Sequence, residues 1–150
     1  MLNQYKPGRW IAVMLLTLGV SAAFAQELRG GTLKSVQGKV MIVSGDVQRA
    51  AVSGERLSEA ERIITGPGAG TALTLKDGTV VSVGPGTTVD LSRAQFDART
   101  QNGSILISLL QGSVRVVTGL LGKLHPEQIK IITPTSVVGV RGTDFIVEVP

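Results

Sequence analysis

The sequence predicts an all-β domain, a sandwich, barrel or solenoid of about ten to twelve short strands. Two observations carry this prediction: apolar residues recur with a period near two, and glycine-centred breaks interrupt the chain every 8 to 12 residues or so. Val, Ile, Leu and Thr dominate the runs between the breaks, which suits a pleated, half-buried surface. Only Ser58–Arg62 has a helix-like composition, so we expect little helix.

The first 25 residues have the pattern of an export signal. Lys6 and Arg9 precede the apolar run Trp10–Val20, and Ala23-Phe24-Ala25 gives a small-residue cleavage pattern. A membrane-spanning helix needs about 20 predominantly apolar residues, which is longer than this run. We therefore expect a cleaved signal peptide over residues 1–25, with a retained anchor as the alternative. The chain has no Cys, which excludes lipobox modification, disulfides and thiolate metal sites.

A single domain is expected over residues 26–150 after cleavage. Loss of Lys6 and Arg9 lowers the net charge from +4 to about +2. The remaining basic residues are scattered singly, which argues against nucleic-acid or anionic-membrane partners. Phe96 and Phe145 are the aromatic residues of this part, so no stacking platform for sugars or RNA is expected.

The strands are expected in the apolar runs between the breaks. In chain order they are Val40–Val43, Val47–Val52, Arg62–Thr65, Thr71–Leu75, Val80–Val83, Thr88–Leu91, Gln95–Thr100, Ile105–Leu110, Val114–Thr118, Gln128–Thr133, Ser136–Val140 and Phe145–Val149.

The turn at Asp77-Gly78 predicts a hairpin with a three-residue loop. A two-residue loop would turn Val81 to the wrong face. With Gly78 in the left-handed region, the longer loop pairs Leu73 with Val81 and keeps odd positions inward.

A second hairpin is predicted at Gln101–Ser104. A two-residue type I′ loop at Asn102-Gly103 places Phe96 opposite Leu109 and Ala98 opposite Ile107. The same turn explains the glycosylation sequon at Asn102.

The end of the chain contains a shift in the alternation of apolar residues. Val138 and Val140 lie on even positions before Gly142, whereas Phe145 and Val147 lie on odd positions after it. A strand that keeps its core face across this shift needs a bulge or tight turn, and Gly142 is the natural place for it.

Four segments together resemble the FecR domain, an all-β module of the bacterial periplasm. The first is Gly38-Lys39-Val40, and the second runs from Thr65-Gly66 through Leu73 and Leu75 to Asp77-Gly78-Thr79. The third runs from Leu109 through Gly112 and Arg115 to Thr118-Gly119. The fourth runs from Thr133-Pro134 to Val140-Arg141-Gly142-Thr143-Asp144-Phe145. Each segment alone is common in β-proteins, but the four occur in order at suitable spacings.

This resemblance implies a twisted, solenoid-like or sandwich-like fold and a place in periplasmic signalling. The family is best known for relaying iron-uptake signals to an extracytoplasmic sigma factor. Its well-known regulators carry a cytoplasmic sigma-binding segment and a membrane helix before the domain, whereas residues 1–25 of this chain have the pattern of a signal peptide. The sequence also has Ala60-Glu61 where the family usually has a Gly-Asp turn.

The potential catalytic and metal-binding side chains do not predict an active site, a metal site or a cofactor site. His125 is the single His and lies in a polar connection, and the dispersed Asp residues have the positions of turn formers. Gly66–Gly70 superficially resembles a phosphate loop, but a strand rather than a helix follows it. A hydrolase with a Ser/His/Asp site around His125 remains an alternative.

The favoured hypothesis is a non-enzymatic periplasmic module that binds another envelope protein. Its alternative is a component of a transmembrane anti-sigma relay in which residues 1–25 form an uncleaved anchor. The candidate partner contacts are Arg141, Gly142, Thr143, Asp144 and Phe145, for which a purely structural role is the competing hypothesis. Residues 145–149 can also form an exposed edge strand able to pair with another chain, so the oligomeric state stays open.

Overall fold

The computed structural model describes residues 30–150, and the predicted signal peptide lies outside them. The described chain is mostly β, which confirms the predicted all-β class, with one short α-helix and a 3-10 turn at Pro126–Gln128. The strands are β1 (Gly30–Gln37), β2 (Val40–Ser44), β3 (Val47–Ala50), β4 (Arg56–Ser58), β5 (Glu61–Thr65), β6 (Gly70–Leu75), β7 (Val80–Val83), β8 (Thr88–Asp97), β9 (Asn102–Val117), β10 (Ile129–Ile132), β11 (Val137–Gly139) and β12 (Asp144–Val149). The α-helix, α1, spans Leu120–Leu124.

The strands form one sheet that folds over into two layers, a sandwich-like arrangement. The back layer has the order β3-β2-β5-β8-β9-β10-β11, and the front layer has the order β4-β1-β6-β7-β9-β12. All neighbouring strands are antiparallel except β9 and β10, which are parallel. Strand β9 belongs to both layers.

The passage of β9 between the layers occurs at Gly112. Residues up to Gln111 pair with β8, whereas residues from Gly112 onward pair with β12 and β7. Gly112 has φ +92°, and a Cβ there would lie 2.5 Å from Thr87 Cα and closer still to its hydroxyl. The bend therefore requires glycine both for its backbone angle and for the close approach of the neighbouring strand.

The core lies between the two layers and is aliphatic. Leu33, Leu73 and Val116 enter it from the front layer, and Ile42, Ile63 and Ile107 enter it from the back layer, all with 2% exposure or less. Their burial removes apolar surface from water, which is the main stabilising contribution in a domain without disulfides.

Two buried threonines tie the layers together near the bend of β9. The Thr65 hydroxyl donates to Gly84 O at 2.6 Å and accepts from Thr87 N at 2.9 Å. The Thr87 hydroxyl accepts from Ser113 N, one residue beyond Gly112, at 3.0 Å. In residues 30–150 every buried side-chain N or O atom has a hydrogen-bond partner, so these groups are buried without an unsatisfied polar atom.

The predicted hairpin at Asp77-Gly78 is confirmed. Leu73 pairs with Val81, the Leu75 N–H donates to Thr79 O at 2.8 Å, and Gly78 has φ +87°. The three-residue loop also buries the Asp77 side chain, whose oxygens accept hydrogen bonds from Thr79.

The predicted hairpin at Asn102-Gly103 is wrong. Phe96 pairs with Gly103 rather than with Leu109, and the turn lies earlier, closed by a 2.8 Å bond from Gln101 N to Asp97 O. The Asp97 carboxylate accepts from the backbone N–H of Arg99 at 2.8 Å, which stabilises this earlier turn. Gly103 lies inside β9, where its missing Cβ leaves room for the backbone of β8.

Other element boundaries also differ from the predictions. Thr88–Leu91 and Gln95–Thr100 belong to the single strand β8, which ends at Asp97 and keeps its core face through an irregularity between Leu91 and Arg93. Gly112 does not end a strand, so Ile105–Leu110 and Val114–Thr118 merge into β9.

The helix-like composition of Ser58–Arg62 does not produce a helix. These residues end β4, turn and begin β5, and Ala60 occupies the turn with φ +65°. The Glu61 carboxylate accepts from Ser58 N at 2.7 Å and from Arg49 at 3.0 Å, which holds the turn in place. The turn that glycine usually forms is thus kept at an alanine.

Candidate partner-binding edge

The motif Arg141–Phe145 connects the last strand of the back layer to the last strand of the front layer. Of the bulge or tight turn predicted at Gly142, the bulge is wrong, because Gly142 lies in a connection between two strands and not within one strand. Gly142 has φ +150°, and a Cβ there would meet no heavy atom within 4 Å. The glycine is required by its backbone angle and not by crowding.

Thr143 and Gly142 join the connection to the end of β9 through their carbonyl groups. Thr118 N donates to Thr143 O at 2.8 Å, and the Thr118 hydroxyl donates to Gly142 O at 3.4 Å. Phe145 follows directly, pairs with Val116 and packs half-buried against the core. Gly142 and Thr143 thus hold the connection through their backbone, and Phe145 holds it through packing.

Asp144 forms a two-pronged ion pair with Arg115. Arg115 Nε and one terminal nitrogen lie 2.9 Å and 2.6 Å from the two carboxylate oxygens. These hydrogen bonds from Arg115 hold the pKa of Asp144 below its ordinary value, and those from Asp144 raise the pKa of the guanidinium. Both side chains are about half exposed, so the pair fixes a surface pattern more than it stabilises the fold.

Arg141 is exposed, and within residues 30–150 its side chain makes no hydrogen bond. In a purely structural role, Arg141 would donate hydrogen bonds to nearby carbonyl groups or to a carboxylate. The carboxylate next to it in the motif, that of Asp144, is bound by Arg115 instead. Sequence reasoning missed Arg115 because β9 is far from the motif in sequence. The period-two alternation of β9, which turns Arg115 outward, is the signal that could have found it.

The adjoining strand β12 has one free edge in residues 30–150. It pairs with β9 from Asp144 to Val149 without interruption, and no other described strand lies on its far side. Phe145, Val147 and Val149 face the core, while Ile146 points outward with 63% exposure. The motif and β12 together form a surface that we call the motif edge, residues 141–149.

The other sequence candidates lie away from the motif edge. His125 sits between α1 and the 3-10 turn with Nδ1 3.5 Å from Glu127, and no Ser hydroxyl of residues 30–150 is hydrogen-bonded to it. Gly66–Gly70 forms a turn that leads into β6, as predicted. Among the described residues, no cluster of His, Asp or Glu has the arrangement of a metal site.

Asp77 is another carboxylate of a family motif, and its role is structural. Its Oδ2 accepts from the Thr79 hydroxyl at 2.8 Å and from Leu121 N at 3.2 Å, and its backbone carbonyl accepts from Leu120 N at 2.8 Å. The aspartate thereby fixes the start of α1 against the β6–β7 hairpin, and its oxygens are already occupied.

These observations define an all-β domain whose exposed features are an ion pair and an open strand edge. Comparison with known families matches residues 61–149, more than half of the chain, to the family described as FecR protein. The chain belongs to the FecR family. Searches of curated proteins and of solved structures returned no significant match. In the part of the chain that the structure describes, no helix is long and apolar enough to cross a bilayer.

Proposed function

We propose that this protein is a non-enzymatic, protein-binding module of the periplasm that takes part in envelope signalling. The observation that carries the proposal is the exposure of the motif edge. Arg141 and Asp144 point to solvent, although the residues around them are fixed by backbone hydrogen bonds. A rigid and exposed charged surface suits recognition of another protein.

Family membership supports the signalling part of the proposal. FecR proteins are associated with the cell envelope and with iron-uptake signalling. The export pattern of residues 1–25 favours a periplasmic location for this chain. Intact-mass measurement of the protein recovered from the periplasm tests this location, because cleavage after Ala25 removes any anchor.

Binding is favoured over catalysis by how the carboxylates are used. Asp77 and Glu61 are buried and saturated with structural hydrogen bonds, and Asp144 is held by Arg115. General acid–base catalysis needs a positioned group free to exchange a proton with a substrate. If a hydrolytic activity were found and His125→Ala abolished it while leaving the fold intact, the non-enzymatic proposal would be wrong.

The binding proposal is tested by photo-crosslinking in cells. A photoreactive residue is placed at Ile146 on the motif edge or at Val47 in β3, an opposite edge with the same 63% exposure. We expect a specific crosslinked envelope protein from position 146 and not from position 47. Equal crosslinking from both positions, or none from position 146, would refute the motif edge as the binding surface.

A further inference from the structure

We infer that β12 binds its partner by strand addition, and that the partner segment alternates apolar residues with Lys or Arg. This inference rests on the proposed function and deepens it by specifying the chemistry of the partner. Strand addition uses the backbone N–H and C=O groups of an exposed sheet edge, while side-chain positions on alternate faces provide selectivity.

The free edge of β12 is the longest and most regular among residues 30–150. It offers six residues in unbroken register with β9, whereas the other edge strands have four (β3) or three (β4 and β11). Beyond Leu91, β8 also has no described strand on its β5 side, but only residues 93–97 are in unbroken register there, and the Glu59 carboxylate accepts a hydrogen bond from Ala94 N. Natural proteins usually shorten, bulge or otherwise protect such edges. A strand partner therefore finds its longest uninterrupted template at β12.

The core-facing side of β12 is only partly covered. Phe145, Val147 and Val149 pack against the core but stay half-buried, because the layer ends beside them. An added strand would continue the layer, and its inward side chains would cover this open margin. The inward positions of the partner are therefore expected to be apolar.

The outward side of β12 selects the charge of the partner. Asp144 and Glu148 flank Ile146 on this face, and both are exposed. The charge of Asp144 is matched by Arg115, which leaves Glu148 to attract a cation across the free edge. Opposite charges directly across neighbouring strands are favourable, so Lys or Arg fits the outward positions of the partner.

A second copy of this chain fits the edge less well. Antiparallel pairing that matches the two inward faces and is centred on Ile146 sets Asp144 of each copy opposite Glu148 of the other. Centring the pair on Val147 brings the two Glu148 side chains to diagonal positions. Neither arrangement sets a Lys or Arg side chain opposite Glu148, so both are less favourable than pairing with a basic strand.

The experiment uses three short synthetic peptides as probes: one alternating Val with Lys, one alternating Val with Glu, and one with the Val and Lys residues in separate blocks. Affinity is measured by fluorescence anisotropy, and hydrogen–deuterium exchange locates the contact. We expect the alternating Val/Lys peptide to bind at least about tenfold more tightly than the Val/Glu peptide. It should slow exchange within residues 144–149.

Two neighbouring substitutions give the sharpest test, because the same change is expected to have opposite effects. Ile146→Glu adds an outward acid and should tighten Val/Lys binding several-fold. Val147→Glu puts a charge on the inward side, where an added strand would bury it, and should weaken binding about tenfold or more. If both variants tightened binding equally, the added negative charge would attract the lysines of the peptide regardless of the face on which it lies. Strand addition would then be refuted.

Glu148→Lys leaves the core untouched and covers the case in which Val147→Glu fails to fold. We expect it to reverse the preference between the Val/Lys and Val/Glu peptides.

Equal binding of the blocked and alternating Val/Lys peptides would also overturn the inference, as would exchange protection at β3 instead of β12. A concentration-dependent dimer with protected β12 amides would assign the edge to a second copy. If photo-crosslinking at Ile146 succeeds while the peptides fail, the proposed function stands and strand addition does not.

Discussion

Replacement of Gly142 by Val separates a backbone requirement from a packing requirement at the family motif. Gly142 has φ +150°, and a Cβ at this position would have no heavy atom within 4 Å. The cost of the substitution is therefore conformational, and we expect a loss of about 1 to 3 kcal/mol in the free energy of unfolding. Arg141→Ala, at the exposed neighbour, is expected to change stability by about 0.5 kcal/mol or less.

Gly112→Ala is expected to cause the largest loss in the free energy of unfolding among the variants compared. It combines a φ of +92° with a Cβ only 2.5 Å from Thr87 Cα, so steric overlap adds to the backbone cost. We expect it to lose about 3 kcal/mol or more. The expected order of destabilisation is therefore Gly112→Ala, then Gly142→Val, then Arg141→Ala.

Equilibrium urea unfolding of the three variants measures this order, provided that the dependence of the free energy on urea is unchanged. A loss at Arg141→Ala as large as that at Gly142→Val would show that the arginine is a structural group. If Gly142→Val were as stable as the parent protein, the backbone at the motif would be freely adjustable, and our account of the glycine would be wrong.

Three further predictions concern other parts of the domain. Ala60→Gly should raise the free energy of unfolding by about 0.5 to 1 kcal/mol, because it relieves a φ of +65° at an alanine. Asp77→Ala should lower it by about 2 to 4 kcal/mol in thermal or urea unfolding, since the buried Leu121 N–H loses its acceptor. In Arg115→Gln, the pKa of Asp144 measured by NMR should rise toward its ordinary value. Because the folded-state pKa is lowered, the stabilisation from this ion pair is present above the unfolded-state pKa and is lost as the pH falls through the folded-state value.

Each of these predictions has a matched control in the chain. Ala60→Ser keeps the need for a positive φ and should bring no gain in stability. Asp46→Ala, in an exposed turn, should lose much less stability than Asp77→Ala. Arg93→Gln removes an exposed arginine that is not bonded to Asp144 and should leave the pKa of that carboxyl unchanged. A gain from Ala60→Ser equal to that of Ala60→Gly would contradict the role assigned to the backbone angle.

The alternation of apolar residues and the residue types at the turns were sufficient to predict the all-β fold and one hairpin in detail. At Asp77-Gly78 the inward residues Leu73 and Val81 allow only one register that keeps both in the core. At Asn102-Gly103 the turn signal was stronger, yet Asp97 forms the turn earlier. Local turn preference was outweighed by the pairing of Ala94 with Ile105, which are both buried.

The strands that the sequence did not reveal lack the apolar alternation on which the prediction depends. Leu57 is the one buried side chain of β4, and Leu33 is the large buried side chain of β1, so neither strand has a recognisable pattern. Gly112 was read as a break because glycine usually ends a strand, but here it bends one. Such a position depends on a strand distant in sequence, which local reasoning does not include.

The candidate site was predicted in part. The motif glycine and the inward direction of Phe145 followed from the shift in alternation, and β12 was expected to be an edge strand. The bonding of Asp144 to Arg115 was missed, because it joins residues 29 positions apart. Whether the motif residues contact a partner stays a prediction.

The sharing of β9 between the two layers has a mechanical consequence. A force applied to β12 by a bound partner would act on β9 along its length, and β9 is hydrogen-bonded to β8 and β10 in the back layer as well as to β7 in the front layer. The force would therefore be shared between the hydrogen bonds that β9 makes in the front layer and those that it makes in the back layer. The motif edge is thereby anchored in both layers, and not in the front layer alone.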